Sequence, residues 1–177
     1  MSGKMRRGGR TNKLVEKILA RGRATHEIGR VADEKNKKYS VLIADDSEDD
    51  RFFIERALRY STRLQLVGAV PDGAEAIKYL DGQGVYGDRQ VWPFPDLFLL
   101  DLKMPLKTGF EVLEWLQLQD FPQFKVVVLT SSALEQDIAR VKSLGVEAFH
   151  TKSAKFTELL DVVKSLENYL LGPETAR

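Results

Sequence analysis

The sequence predicts a doubly wound α/β domain built on a parallel sheet. Three observations predict it. Apolar stretches of strand length alternate five times with stretches of helical apolar spacing between Tyr39 and Leu171. The stretch Leu97-Phe98-Leu99-Leu100 holds no polar residue, as expected of a strand covered on both faces. An acid, Asp101, follows it directly, at the strand edge where open α/β sheets bind their ligands.

Each element can be justified in turn. Tyr39–Ala44 is predicted as strand β1, with Asp45-Asp46 at its end. Ser47 is placed to cap helix α1, and Glu48, Asp49 and Asp50 complement the dipole of its first turn. That helix runs to about Tyr60, with Phe53, Ile54, Ala57 and Leu58 facing inward. Leu64–Val70 is β2, and Pro71-Asp72-Gly73 turns the chain. Ala74, Ile77 and Leu80 mark α2, and residues 82–95 form a long loop carrying Tyr86, Trp92 and Phe94. Leu97–Leu100 is β3, followed by the loop Met104–Gly109. Helix α3 covers Phe110 to about Gln119, with Phe110, Leu113 and Leu116 on one side. Lys125–Leu129 is β4, ending at Thr130-Ser131-Ser132. In α4, Leu134, Ile138, Val141 and Leu144 recur at helical spacing until Gly145 stops it. Ala148–Thr151 is β5, and α5 runs from Phe156 to about Leu171. Right-handed crossovers and a strand order 2-1-3-4-5 make this a flavodoxin-like (βα)5 sheet.

Charge divides the chain near Lys38. Residues 1–38 carry a net charge of about +8 and the remainder about −7. The expected organisation is a basic, partly helical N-terminal extension over 1–38, the α/β domain over 39–171 and a tail over 172–177. Within the extension, Leu14, Val15, Ile18 and Leu19 form one stripe of a short helix over Thr11–Ala20, and a further turn is expected around Ile28–Asn36. The extension holds no recognised DNA-binding motif; a solvated extension is its plain reading, and a docking arm the alternative. The 177 residues contain no cysteine, which excludes disulfides and thiolate metal sites. The apolar runs are too short to span a bilayer, and Met1–Arg10 lacks the apolar segment of a secretory signal. A soluble cytoplasmic protein is expected, with no membrane partner.

The chemistry is predicted at one edge of the sheet. All strand C-termini of a parallel sheet lie on one side. There β1 delivers Asp45 and Asp46, β3 delivers Asp101, β4 delivers Thr130 and β5 delivers Lys152. With neighbouring strands about 4.8 Å apart, these groups converge. Clustered carboxylates repel one another unless a cation joins them. Oxygen donors without His or Cys favour Mg²⁺ or Mn²⁺. Lys152 supplies a point charge suited to phosphate, and Thr130 a hydroxyl donor. Singly, each residue has a structural explanation: a cap, a turn or a solvated surface charge. Together they form a site for aspartyl phosphorylation with Asp101 as nucleophile.

The motifs Val41-Leu42-Ile43-Ala44-Asp45-Asp46, Leu100-Asp101-Leu102-Lys103-Met104-Pro105, Leu129-Thr130-Ser131 and Phe149-His150-Thr151-Lys152 resemble those of response regulator receiver domains. The long α2–β3 loop and Thr151-Lys152-Ser153-Ala154 are similar to small stand-alone regulators of phytochrome-type histidine kinases. The resemblance implies a phosphoacceptor at Asp101. It implies Mg²⁺ (or Mn²⁺) held by Asp46, Asp101 and the backbone carbonyl of Lys103, with Asp45 acting largely through water. It gives Thr130 and Lys152 the phosphoryl group, and Thr130 with Phe149 a conformational switch. Lys103 and Ser132, two residues beyond Asp101 and Thr130, are placed to tune dephosphorylation. The implied protein is no enzyme in the usual sense, but a phosphoacceptor that assists its own phosphorylation and dephosphorylation. Its partners are a histidine kinase and an output protein, with homodimerisation through the α4-β5-α5 face as another output route. One departure stands out: the family usually has Pro after the lysine, where this chain has Ser153. Because non-proline cis bonds cost about 2.5–4 kcal/mol, a trans Lys152–Ser153 bond and an altered loop are expected. Competing readings are a Mg²⁺-dependent phosphohydrolase with an aspartyl intermediate, and a scaffold that never phosphorylates. For the extension alone, nucleic-acid binding is a further alternative.

Overall fold

A computed structural model describes residues 37–132 and 134–171. The chain runs β1 (Tyr39–Ala44), α1 (Glu48–Leu58), β2 (Leu64–Val70), α2 (Gly73–Asp81), a 3-10 turn (Gly84–Gly87), β3 (Leu97–Leu100), α3 (Gly109–Leu116), β4 (Lys125–Thr130), α4 (Glu135–Ser143), β5 (Ala148–Thr151) and α5 (Phe156–Leu171). The five strands form one parallel sheet in the order β2-β1-β3-β4-β5. The predicted architecture is therefore the observed one. The helices expected within residues 1–36 and the tail 172–177 lie outside the described residues.

Strand alternation divides the core. Val41, Ile43, Leu97, Leu99, Val127 and Leu129 pack with Ile54, Ala57 and Leu58 of α1 and Val163 and Leu166 of α5. The intervening residues Leu42, Ala44, Phe98, Leu100 and Val128 pack with Tyr79 and Leu80 of α2, Val112 and Leu113 of α3 and Val141 of α4. Every residue of β3 is buried, so its polar flanks can lie only at its two ends.

Two inward assignments are corrected. Phe53 is exposed, because α1 turns Ile54, Ala57 and Leu58 to the sheet and the step of about 100° per residue carries Phe53 to the side of that face. Leu134 is also exposed and forms the N-cap position of α4 rather than part of its inward stripe. The aromatic residues of the 82–95 loop pack together: Tyr86 and Trp92 meet edge to face, and both contact Tyr79. Arg89 fixes this loop by donating to the carbonyls of Tyr79, Leu80 and Trp92. Among the described residues, no helix is long and apolar enough to cross a membrane.

Candidate phosphoacceptor site

The carboxyl edge of the sheet assembles the residues that the sequence pointed to. β1 ends at Ala44, and the Asp45 amide donates to the Val70 carbonyl (3.1 Å), so the chain stays tied to β2 as it leaves the core. Asp45 Oδ1 then accepts the Ser47 amide (3.1 Å), while Ser47 caps α1 through the Asp50 amide (3.2 Å). These local bonds turn Asp45 inward and leave Asp46 exposed. Across the sheet, the Asp101 amide donates to the Ala44 carbonyl (2.9 Å), and Asp101 Oδ1 accepts the Lys103 amide (3.3 Å). A Cβ at Gly109 would overlap the Asp101 carbonyl oxygen. Only glycine lets α3 begin this close to the acid.

Lys152 closes the arrangement. Its amide donates to the Thr130 carbonyl (2.8 Å), which anchors the end of β5 against β4. Its Nζ lies 2.7 Å from Asp45 Oδ2, 2.8 Å from Asp50 Oδ2 and 3.1 Å from Asp101 Oδ2. An ammonium has three donors, and here three carboxylates occupy them. Asp45 and Asp101 are only 1% and 3% exposed, so their charges need this partner. Burial pushes the Asp45 carboxyl up to about 6, with the neighbouring Asp101 charge adding to the effect. The Lys152 ammonium and the Ser47 amide counter only part of this. For Lys152, burial works against the charged form, but the bonds to Asp45 and Asp50 and the acidic charges outweigh it and hold the amine above its usual range.

Asp45, Asp46 and Asp101 each present an oxygen within 4.8 Å of the others. This all-oxygen donor set fits a hard divalent cation. Thr130 is fully buried, and its Oγ1 accepts the Ser132 amide (3.3 Å). That bond uses an oxygen lone pair and leaves the hydroxyl hydrogen to donate. Phe149, paired with Val128, is partly buried against the α2-α3-α4 side of the core. Lys103 is exposed. Ser132 is buried and donates its hydroxyl to Asp137 Oδ2 (2.5 Å), which ties the loop after β4 to the first turn of α4. The Lys152–Ser153 bond is trans.

Sequence reasoning missed two partners. Asp50 reads as a dipole-complementing acid in a first turn, yet it faces Lys152 across 102 residues of chain. Asp137, which nothing in the sequence singles out, holds Ser132. For Asp50 a signal exists: Ser47 at the cap puts position 50 on the turn that faces the strand ends.

The sequence profile of the response regulator receiver domain matches residues 41–164. The chain belongs to the response regulator receiver family. It is 35% identical over 146 residues to response regulator Rcp1 of Synechocystis sp., covering 82% of this chain and 97% of that protein. The crystal structure of the phosphorylated cyanobacterial phytochrome response regulator RcpA is similar, with 35% identity, a TM-score of 0.68 and coverage of 78% of this chain and 97% of that one. So is the Mn²⁺-bound form of Rcp1, with 33% identity, a TM-score of 0.67 and coverage of 78% and 99%. As a receiver, this chain is a two-component signalling protein whose partner is a histidine kinase, and its family is not a family of enzymes.

Proposed function

We propose that Asp101 accepts a phosphoryl group from a phosphohistidine of that kinase. An Asp101 carboxylate oxygen attacks phosphorus in line. The new P–O bond forms as the phosphorus–nitrogen bond breaks, and the electron pair returns to the imidazole nitrogen. The observation that carries this reading is the placement of Asp101: a buried acid at the end of an all-apolar strand, facing Lys152 and grouped with Asp45 and Asp46. The receiver domain itself assists both phosphorylation and dephosphorylation.

Asp45, Asp46 and Asp101, with the backbone carbonyl of Lys103, are the groups that would hold Mg²⁺, with Mn²⁺ as a substitute. The manganese-bound form of the similar Rcp1 supports a divalent cation as the ligand. When bound, the cation neutralises charge on the phosphoryl oxygens. Lys152 and Thr130 donate to those oxygens. Thr130 turns its hydroxyl toward them, and Phe149 moves into the space this opens. The change is then carried by α4, β5 and α5, whose outer surface serves an output protein or a second copy of the chain. Lys103 and Ser132 tune hydrolysis of the acyl phosphate. Lys103 does so from its exposed position, and Ser132 through the loop that Asp137 anchors. Likeness to Rcp1 and to RcpA, a phytochrome response regulator, supports a phytochrome-type kinase as donor. Residues 39–171 form the receiver unit, and the basic extension 1–38 and tail 172–177 lie outside it.

The test is incubation with acetyl phosphate and Mg²⁺. Acid-labile, base-labile label is expected on the full chain and none on Asp101→Asn. Full labelling of that variant would overturn the reading.

A further inference from the structure

We infer that Asp50 is a positioning residue for Lys152, holding the lysine at the mouth of the site while its other two carboxylates are engaged elsewhere. This rests on the reading of Asp101 as phosphoacceptor. Three carboxylates occupy the three donors of Lys152, so a phosphoryl oxygen can be bound only after one lets go. Asp45 and Asp101 belong to the oxygen set that fits a divalent cation, whereas Asp50 does not. Engaging Asp45 and Asp101 in that set makes the cation compete with the ammonium for their oxygens. Asp50 then remains as its partner, and two donors are left for phosphoryl oxygens.

The surroundings favour this role. The Lys152 side chain is only 15% exposed, while that of Asp50 is 40% exposed. Asp50 therefore sits at the solvent side of the ammonium. Its backbone is fixed by the Ser47 cap, so its carboxylate reaches Lys152 from a rigid helix turn. Asp50 and Lys152 also line a cavity of about 260 Å³ whose other walls include Phe53, Ile54, Leu129, Phe156 and Leu159. Among the described residues, those walls hold no second acid to catch a released lysine.

Positioning and simple charge removal predict opposite signs for one substitution. If Asp50 acted only through its charge, Asp50→Asn would lower the repulsion felt by anionic acetyl phosphate and speed phosphoryl uptake. If Asp50 positions Lys152, the second-order rate constant for uptake instead falls, by about fivefold for a partly exposed ion pair. Asp50→Glu should restore most of the loss. In a Lys152→Ala background, Asp50→Asn should no longer slow uptake. Asn keeps the shape and backbone of the first turn, so the fold is expected to survive. A second readout is independent of turnover: the Lys152 ammonium resonance in ¹⁵N-edited NMR of the Mg²⁺-loaded protein. It should be retained in the wild type, by slow exchange in an ion pair, and lost in Asp50→Asn. Faster or unchanged uptake by Asp50→Asn, with the ammonium signal kept, overturns the inference while leaving Asp101 as phosphoacceptor. Absence of labelling in the wild type overturns the reading of the site itself.

Discussion

Two acids flank the same four-residue strand and have opposite fates. Asp96 precedes β3, and its Oδ2 accepts the Ser40 amide and the Ser40 hydroxyl, both at 2.8 Å. The Asp96 amide donates back to Ser40 Oγ (2.9 Å). Its partners are neutral and belong to the neighbouring strand, so the bonds form with the sheet and stay with it. Asp101 follows β3, is buried, and faces a cation at the end of a long flexible side chain. The first acid closes a ladder. The second is held by a charge that can be exchanged for another. Burial does not separate the two roles, since Asp96 is itself only partly exposed. The mobility and charge of the partner do.

The largest expected effect tests this contrast directly. Asp101→Asn should abolish phosphoryl uptake from acetyl phosphate, whereas Asp96→Asn should leave the rate within about twofold, a change worth under 0.5 kcal/mol. Comparable loss in both variants would remove the distinction.

Next in size, Lys152→Ala leaves two buried carboxylates without their cation. It should cost about 3 kcal/mol in metal-free chemical denaturation. Added Mg²⁺ should stabilise this variant more than the wild type, because the ion replaces the missing charge. Equal metal stabilisation would mean that Lys152 is not the neutralising partner.

The third prediction concerns pH. The Asp45 carboxyl titrates near 6 in the folded chain against 3.8 in its ordinary state. The folded state thus binds the proton more tightly. The stability that this group contributes is fully present below pH 3.8 and is lost as pH rises through about 6. Asp45→Asn should therefore stabilise the metal-free protein at pH 8, by at most about 3 kcal/mol, and by much less at pH 4. A destabilised variant at pH 8 would show that the pairing with Lys152 outweighs burial. The smallest effect belongs to the structural acid: Asp96→Ala should cost about 1–2 kcal/mol by denaturation midpoint, with no dependence on Mg²⁺.

The sequence made one half of this comparison legible. Asp101 stands out because Leu97–Leu100 is wholly apolar, and the strand order follows from five repeats of strand and helix. Asp45, Asp46, Thr130 and Lys152 could be brought to the same edge because every parallel strand ends there. Contacts made by freely rotating side chains were not legible. Asp50 reaches Lys152 across 102 residues: the Ser47 cap places it on the turn facing the strand ends, but the direction of its carboxylate is not written in the sequence. Phe53 shows the same limit. Periodicity placed it beside Ile54, but the rotation of α1 about its own axis decides which of two adjacent apolar residues meets the sheet.

The three-way grip on Lys152 has a further consequence, for solution behaviour. The lysine is a resident counterion. A mobile ion recruited from buffer loses translational freedom when it binds, and it becomes scarce on dilution. An ammonium attached to the backbone does neither. The electrostatic field of the acid cluster is met within a few ångströms, inside the Debye length of any ordinary buffer. Folding of the metal-free domain should accordingly vary little between dilute and physiological salt, even though its strand ends gather carboxylates that would otherwise depend on the surrounding electrolyte.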